Sequence, residues 1–322
     1  MAEQQKYLYG PVPSRRLGRS LGVDIMPFKV CTLDCVYCQL GKTTETTIER
    51  KDYVPVDAVL GELQEKLAGG PETDFITISG SGEPTLHSRL GELIDGIKKI
   101  TEIPVAVITN GTLLYRQDVR ADCAKADVVL PSLDAGDEQT FQKINRPHSE
   151  LSLEKLLDGL CALREEFSGR LWLEVLLIEG FNTDKAQIDK IVNAVKRIRP
   201  DKIQLNTAVR PAAEPDVKKV NRAKLKVIAR QFGCKCEVVA DASPRRSVSS
   251  PNGKQHDELA ATTEEYAEIL LSMLKRRPCS LEDICTGLGM RRNEALKYIN
   301  HLQRQGVIDF EQRRGTVFFK AK

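Results

Sequence analysis

The chain contains 322 residues, of which 41% are hydrophobic and 29% are charged, and its formal net charge is +3. This length favours two domains or one large α/β barrel with an appendage, and the balanced charge excludes a uniformly cationic polymer-binding protein. The sequence has no uninterrupted apolar run of about 18 residues and no cationic start followed by an apolar segment. We therefore expect no membrane span and no secretory signal, and we predict a cytoplasmic protein.

Residues 21–241 alternate between short segments rich in β-branched residues and longer amphipathic segments. This alternation predicts βαβ units, hence an α/β fold in which a parallel sheet and its flanking helices form a partial (β/α)6 barrel similar to a TIM barrel. Ligands bind such barrels at the carboxyl ends of the strands. The predicted strands are residues 21–25, 75–79, 105–108, 128–132, 171–178, 202–206 and 236–239, and the predicted helices are residues 55–68, 90–100, 152–167 and 185–198.

Three of the nine cysteines, Cys31, Cys35 and Cys38, fall within eight residues directly after the first predicted strand. The odd total, without an export signal, argues against a disulfide framework. Thiolates at this C-x3-C-x2-C spacing can hold three corners of a cubane iron–sulfur cluster and leave the fourth iron open. The alternative is a set of buried or zinc-binding cysteines, although zinc normally needs a fourth nearby ligand and the next histidine is His87.

Basic residues precede this cysteine cluster. Arg15, Arg16 and Arg19 lie in a segment interrupted by glycine and proline. They suit bidentate contacts to a phosphate-bearing substrate, and they equally suit a solvated or salt-bridged segment. Lys29, two residues before Cys31, suits a contact to the cluster or to the substrate, and an exposed lysine is the favoured alternative.

The pattern changes near residue 241. Residues 242–262 are polar and rich in Ser, Pro and Arg, which predicts a linker between a barrel of residues 1–241 and a small domain of residues 263–322. The small domain is predicted to contain a helix over residues 264–276, a short helix that is capped by Ser280 and runs through residues 284–288, and a helix over residues 291–305. A hairpin of residues 307–310 and 316–319 follows. Three helices followed by a two-stranded wing resemble a winged helix-turn-helix domain.

The net charge belongs to this small domain. Residues 263–322 contain 11 Lys and Arg against 8 Asp and Glu, whereas residues 1–262 contain 37 of each. A nucleic-acid backbone would select such a distribution, and the interspersed acidic residues also suit a protein-interaction module. The basic residues of the third helix and the wing are Arg291, Arg292, Lys297, Arg304, Arg313 and Arg314.

The cysteine spacing, with the aromatic residue Tyr37 directly before the last cysteine, resembles the radical S-adenosylmethionine (SAM) superfamily. Residues 9–22 and 38–41 are similar to one of its branches, the wyosine-synthetase-like iron–sulfur oxidoreductases. The resemblance implies a [4Fe-4S] cluster on the three cysteines, with its open iron chelated by SAM. It further implies that the reduced cluster cleaves SAM to a 5'-deoxyadenosyl radical, which abstracts hydrogen from a substrate.

The resemblance also implies SAM-binding residues at the ends of the predicted strands. Residues 81–84 resemble the Gly-Gly-Glu-Pro motif that binds the methionine amino group, with serine in place of the first glycine. Turn formation is the alternative role of the asparagines, and their shared position at strand ends favours binding. The residues implied to contact SAM are Tyr37 beside the adenine, Ser81, Gly82 and Glu83 at the amino group, and Asn110, Ser132, Asp134, Asn182 and Asn206 along the rim.

The sequence thus favours a radical SAM enzyme that modifies a tRNA base. Such an enzyme needs a reducing partner such as flavodoxin or ferredoxin, and the winged helix would bind the nucleic acid. The same chemistry on a peptide, a protein or a small metabolite is one alternative. Another, of a different class, is an iron–sulfur redox sensor that binds DNA through the winged helix. The second cluster and the pyruvate-binding lysine of wyosine synthetase are not assigned in this sequence.

Overall fold

A computed structural model describes residues 7–70, 72–239, 263–288, 290, 292–313 and 315–322. The predicted linker of residues 242–262, together with Arg291 and Arg314, lies outside the described residues. Within these ranges, no helix combines the length and the apolar character that are needed to cross a membrane.

A sheet of eight strands forms the larger part of the structure. Its order is β1-β2-β5-β6-β7-β8-β9-β10, with β1 antiparallel to β2 and the other neighbours parallel. The short strands β3 and β4 pair with each other. The strands are β1 (Leu8–Ser14), β2 (Gly18–Val23), β3 (Val30–Cys31), β4 (Glu45–Thr46), β5 (Phe75–Ile78), β6 (Val105–Ile108), β7 (Val128–Leu130), β8 (Arg170–Leu177), β9 (Lys202–Thr207) and β10 (Cys236–Val238).

Helices follow most of the parallel strands, which confirms the predicted α/β fold with a parallel sheet. The helices are α1 (Val56–Ala68), α2 (Leu90–Ile100), α3 (Gln117–Cys123), α4 (Glu138–Asn145), α5 (Leu153–Glu166), α6 (Lys185–Ile198) and α7 (Arg222–Gln231). Helices α3, α4 and α7 were not predicted, because a helix of 7 to 10 residues shows only two or three turns of periodicity. Strand β1 was also missed because it contains a glycine and two prolines, which a strand at the edge of a sheet tolerates.

Successive residues of a strand face opposite sides of the sheet, and their side chains therefore form two separate apolar layers. Val107 of β6 packs in the main core with the helices, whereas its neighbour Ala106 faces the inside of the barrel. There Ala106, Val128 and Leu130 surround Leu17, which lies in the turn before β2 and is only 2% exposed. Because this turn precedes the parallel strand, Leu17 closes the amino-terminal end of the barrel interior.

The last part of the chain, which we call the C-terminal unit (residues 263–322), contains the predicted helices and hairpin. Its elements are α8 (Thr263–Arg276), β11 (Cys279–Ser280), α9 (Leu281–Leu288), α10 (Arg292–Arg304), β12 (Ile308–Arg313) and β13 (Thr316–Ala321). Strand β13 lies between β11 and β12 and is antiparallel to both. The two-residue strand β11 was not predicted. The winged-helix assignment and the domain boundaries stay predictions.

The C-terminal unit packs on the edge strand of the large sheet. Val12 of β1, which is 8% exposed, belongs to the same buried apolar cluster as Leu270 and Leu274 of α8 and Ile299 of α10. Helices α8 and α9 both contact β1. This packing covers a strand edge that would otherwise be open to association with another chain.

We expect the Leu17→Ala substitution to lower the free energy of unfolding by about 2–5 kcal/mol, because it removes buried methyl groups and leaves a cavity at the barrel floor. Urea unfolding followed by circular dichroism measures this change. The matched control is Val227→Ala on α7, whose side chain is 56% exposed and whose loss should change stability by less than about 0.5 kcal/mol. Equal effects of the two substitutions would contradict the proposed packing of Leu17.

Candidate active site

Three loops meet at the carboxyl end of the parallel strands. They follow β2, β5 and β6, and the loop after β2 carries the three clustered cysteines. The Glu83 amide donates to the Val30 carbonyl at 3.0 Å, which joins the β5 loop to the cysteine loop. The Asn110 side-chain amide donates to Thr32 Oγ1 at 2.7 Å, which joins the β6 loop to it as well. The fold thus brings together segments that lie far apart in the sequence.

Each of the three cysteine sulfurs lies beside a side-chain nitrogen from another residue. Lys29 Nζ is 3.0 Å from Cys38 Sγ, Asn145 Nδ2 is 3.5 Å from Cys35 Sγ, and Asn110 Nδ2 is 3.6 Å from Cys31 Sγ. Hydrogen bonds of this kind favour the thiolate over the thiol. Since the thiolate is the form that binds metal, these donors fit a set of iron-ligating sulfurs.

Burial makes the Cys31 and Cys35 thiols difficult to ionise without a metal. Burial raises the pKa of Cys31 to about 12, and Glu83 adds to the shift. The pKa of Cys35 lies well above its ordinary value because of burial and then because of Cys31 and Cys38. A bound cation reverses this situation, since a coordinating thiol loses its proton outright.

No three His, Cys, Asp or Glu side chains in the described ranges are grouped to hold a single metal ion. A cubane cluster places each thiolate on its own iron, so its cysteines stand farther apart than the ligands of one ion. Three cysteine thiols with nitrogen donors beside them have the chemistry of the donor set of such a cluster.

Lys29 is buried, and the prediction that it is exposed is wrong. The residue is 3% exposed, and its backbone is left-handed with φ of 62°. Its amide donates to the Ser81 carbonyl at 2.7 Å, and its carbonyl accepts from the Thr44 amide at 3.1 Å. These bonds offset the cost of about 1–2 kcal/mol for the left-handed backbone while the ammonium group contacts Cys38.

Glu83 holds loops together inside the protein. Its carboxylate is 3% exposed, and burial raises its pKa while four donated hydrogen bonds oppose the shift. The donors are Thr85 N at 3.0 Å, Thr85 Oγ1 at 2.7 Å, Thr109 Oγ1 at 2.6 Å and Asn110 N at 2.8 Å. The carboxylate predicted to accept from a ligand ammonium group is therefore occupied by protein donors, and backbone carbonyls are left as the alternative acceptors.

The Ser81 segment is tied to Asp24, a residue that the sequence analysis missed. Asp24 accepts from the Ser81 amide at 3.0 Å and from the Ser81 hydroxyl at 2.6 Å. A Cβ on Gly80, whose φ is +148°, would lie 2.3 Å from the Asp24 carboxyl carbon, and a Cβ on Gly82 would lie 2.2 Å from the Val30 carbonyl oxygen. The two glycines are needed for these close approaches. The only sequence signal for Asp24 is an acidic residue next to an apolar strand.

Tyr37 and Asp134 form a buried pair beside the cysteine loop. The Tyr37 hydroxyl donates to Asp134 Oδ2 at 2.5 Å, and Asn145 donates to the same oxygen at 3.1 Å. The other oxygen accepts from the Leu176 amide at 2.9 Å. Burial raises the pKa of Asp134 to about 6. Asn145 also contacts Cys35, so the pair is connected to a cysteine sulfur.

Asn182 does not line the rim as the sequence predicted. Its side chain is fully buried. It donates to the carbonyls of Asp134 at 2.7 Å and Leu176 at 2.8 Å, and it accepts from the Ile178 amide at 2.7 Å. The amide group therefore joins the loop after β7 to the end of β8, and its hydrogen-bonding groups are directed at the protein.

Ser132 and Asn206 lie around an ion pair in the barrel interior. Asn206 Nδ2 donates to Glu174 Oε1 at 2.7 Å, and Arg16 Nη1 pairs with the other oxygen of Glu174. Ser132 is bridged to Glu174 through the backbone. The side chains of Arg16 and Glu174 are 22% and 12% exposed, so the pair faces accessible space. The sequence analysis missed Glu174, whose signal is a single acidic residue within an apolar strand.

The other two arginines of the N-terminal segment have different surroundings. Arg15 Nη1 donates to the Val239 carbonyl at 3.4 Å, whereas Arg19 pairs with exposed Glu72 at the surface. Of the two roles that the sequence leaves open for these arginines, salt-bridge formation therefore describes Arg19. It also describes Arg16, which pairs with Glu174 inside the barrel.

The Glu83→Gln substitution is expected to lower the stability of the cofactor-free protein by about 2–3 kcal/mol, because an amide NH2 group replaces an oxygen that accepts hydrogen bonds. Urea unfolding of the cofactor-free protein measures this loss. The control is Glu92→Gln, which changes an exposed glutamate paired with Arg89 and should leave stability nearly unchanged. A stable Glu83→Gln protein that fails only in ligand binding would instead assign Glu83 to the ligand.

Comparison with known protein families gives a match for more than half of the chain. The sequence model described as the radical SAM superfamily matches residues 25–202. A UPF0026 protein of Methanocaldococcus jannaschii is 32% identical over 313 residues, which are 97% of this chain and 94% of the relative. A protein of Brachyspira hyodysenteriae named GTPase Obg is 37% identical over 98% of this chain, and the chain spans only 45% of that relative's length.

Solved structures show a similar fold. A structure of TYW1 with a lysine-pyruvate adduct bound has a TM-score of 0.51 and 22% identity, and the match covers 70% of this chain and 75% of that one. A radical SAM methyltransferase from Sphaerobacter thermophilus has a TM-score of 0.51 and 15% identity, with 68% and 65% of the two chains covered. At these identities the similarity concerns the fold alone.

Proposed function

The chain belongs to the radical SAM superfamily, and on that premise we propose that Cys31, Cys35 and Cys38 hold a [4Fe-4S] cluster against which SAM binds. The protein is a radical SAM enzyme, and members of this superfamily bind both cofactors. When bound, they supply reductive cleavage of SAM to a 5'-deoxyadenosyl radical that abstracts hydrogen from a substrate. A reducing protein such as flavodoxin or ferredoxin is the proposed electron donor.

The observation that best supports this function is the convergence of three cysteine sulfurs with three side-chain nitrogens. Lys29, Asn110 and Asn145 come from the loop after β2, the loop after β6 and the end of α4, and each lies within 3.6 Å of a cysteine sulfur. Donors in these positions stabilise negative charge on the sulfurs in a site of low polarity. The chain thus places hydrogen-bond donors that would stabilise the thiolates once iron has displaced their protons.

The residues around the cysteines suit the proposed SAM site. Ser81 and Gly82 provide a segment whose backbone reaches the cysteine loop, and backbone carbonyls are the proposed acceptors for the methionine ammonium group. Tyr37 is proposed to lie beside the adenine, held there by its hydrogen bond to Asp134. The remaining proposed SAM contacts are Asn110, Ser132 and Asn206.

The barrel interior is the proposed substrate compartment. Arg16 and Glu174 face it from the middle of the barrel, and Leu17 closes its amino-terminal end. A closed floor leaves the carboxyl end as the route of entry and limits the access of water to reactive intermediates.

Replacing Cys31, Cys35 or Cys38 by alanine is expected to prevent cluster assembly. After anaerobic reconstitution the wild-type protein should hold about four irons per chain and form 5'-deoxyadenosine with dithionite and SAM, whereas each variant should form none. Iron analysis, Mössbauer spectroscopy and chromatography measure these outcomes. Controls are Cys161→Ala and Cys234→Ala, which change partly or fully exposed cysteines. A loss of iron in the controls but not in the three variants would refute the assignment.

A second proposal concerns the substrate. We propose that α10 binds tRNA and brings a tRNA base to the enzyme. Four exposed residues at helical spacing, Asn293, Lys297, Asn300 and Arg304, lie on one face of α10. Amide and cationic side chains on one face suit the phosphate backbone of a nucleic acid. In contrast, Arg313 of the hairpin is paired with Glu311 at 3.3 Å.

The double substitution Lys297→Glu with Arg304→Glu should weaken tRNA binding at least about tenfold and reduce the slope of log K against log salt by about 2. Filter binding over a range of salt concentrations measures both. The control with the same charge change is Lys196→Glu with Arg197→Glu on an exposed part of α6. Equal losses in the two proteins would contradict a specific role of α10. Absence of tRNA binding by the wild type would favour the peptide, protein or metabolite alternatives.

A further inference from the structure

The C-terminal unit reaches the candidate SAM site through one arginine. Arg276, the last residue of α8, places Nε 3.4 Å from Asp24 Oδ2, and its guanidinium lies 4.4 Å from the centroid of the Tyr9 ring. The arginine side chain is 14% exposed and the aspartate side chain is 8% exposed. A buried carboxylate that loses its cation is strongly disfavoured, so this ion pair constrains both groups.

Both partners of Arg276 are bonded to the segment that follows β5. Asp24 accepts from the amide and the hydroxyl of Ser81. The Tyr9 hydroxyl lies 2.8 Å from Ser79 Oγ. Arg276 therefore contacts Tyr9 and Asp24, which in turn contact the two ends of residues 79–81. This segment is proposed to bind the methionine group of SAM.

The packing around these contacts leaves little room for adjustment. A Cβ on Gly22 would lie 2.0 Å from the Tyr9 ring, and a Cβ on Gly80 would lie 2.3 Å from the Asp24 carboxyl carbon. The Tyr9 ring and the Asp24 carboxylate thus lie in direct contact with the backbone of Gly22 and Gly80. In a closely packed region, a shift of either group moves the chain beside it.

Arg276 is itself held by its own helix. Its Nη1 donates to the Ser272 carbonyl at 3.0 Å and to the Ser272 hydroxyl at 2.7 Å. Helix α8 is in turn docked on β1 through the apolar cluster that contains Val12 and Leu270. The position of the guanidinium is therefore set by the docking of the C-terminal unit on the barrel.

We propose that Arg276 is a positioning residue for SAM binding, which acts by holding Asp24 and, through Asp24, the Ser81 segment. The C-terminal unit is then a part of the cofactor site as well as a module for binding a partner. This inference rests on the proposed function of the Ser81 segment. Arg276 acts on that segment through Asp24, while its guanidinium packs on the Tyr9 ring.

A second set of contacts, made by Arg210, also connects the C-terminal unit to the barrel and serves as a comparison when this inference is tested. Arg210 Nη2 lies 3.0 Å from Asp283 of α9, and Arg210 Nη1 lies 3.5 Å from Gln39, which follows Cys38. Arg210 therefore connects the C-terminal unit to the cysteine loop through contacts that do not involve Asp24. Loss of docking would loosen both segments, whereas loss of Arg276 alone would loosen the Ser81 segment.

The first test uses the protein without cofactors. We expect Arg276→Ala to increase hydrogen–deuterium exchange about tenfold in peptides that cover residues 76–84, because the Ser81 amide donates to Asp24. Peptides that cover residues 36–41 should exchange as in the wild type. Arg276→Lys, which keeps the positive charge, should restore part of the protection. Val12→Ala is the control for weakened docking, and it should increase the exchange of residues 76–84 and of residues 36–41 together.

The second test uses the reconstituted enzyme. The SAM-induced change in the electron paramagnetic resonance spectrum of the reduced cluster gives the Kd for SAM. Arg276→Ala should raise this Kd about tenfold at unchanged iron content, and Asp24→Asn should do the same. The double variant should bind SAM about as well as either single variant, since the two residues act in one chain of contacts.

Unchanged exchange of residues 76–84 and an unchanged Kd in Arg276→Ala would overturn the inference. Increased exchange of residues 36–41 as well as residues 76–84 in Arg276→Ala, as expected for Val12→Ala, would also overturn it, because loss of docking alone would then explain the effect. If the wild type binds no SAM, the proposed function fails while the exchange experiment still reports on the contact between Arg276 and Asp24. The two failures are thus distinguishable.

Discussion

The site depends on one physical constraint, which is the placement of three thiols close together in one loop at the carboxyl end of a parallel sheet. Burial disfavours the ionised forms of Cys31 and Cys35, and for Cys35 the neighbouring sulfurs disfavour it further. Lys29, Asn110 and Asn145 oppose this effect, because each brings a nitrogen to one sulfur. Since these donors come from separate segments, the loops after β2 and β6 and the end of α4 must all be in place before the sulfurs share a stabilised environment.

Buried carboxylates keep those loops in place. Glu83 accepts four hydrogen bonds and joins the ends of β5 and β6. Asp134 orients Tyr37 and receives the Leu176 amide, and Asp24 holds the Ser81 segment. A carboxylate with several protein donors is stable when buried, and it fixes the atoms that donate to it. The acidic residues of this site therefore fix the positions of the loops through hydrogen bonds within the protein.

The regular part of the fold was predictable because it produces repeating patterns. The apolar strand runs and the amphipathic helices lie at or near their predicted positions, and the α/β alternation is confirmed. Short elements such as α3 and the proline-containing β1 give no such pattern and were missed. Two side-chain predictions failed for a different reason. Lys29 and Asn182 have polar side chains in loops, and only their three-dimensional neighbours show that one contacts a sulfur and the other is fully buried.

The amino-acid sequence by itself determined the order of strands and helices, the spacing of Cys31, Cys35 and Cys38, and the resemblance to a superfamily, because these are properties of neighbouring residues. Tertiary structure alone decided which distant groups meet. It directs the Glu83 carboxylate to protein donors, brings Glu174 to Arg16, and places Arg276 against Asp24 across 252 residues. Such contacts depend on how separate elements pack, and local propensity carries no information about them.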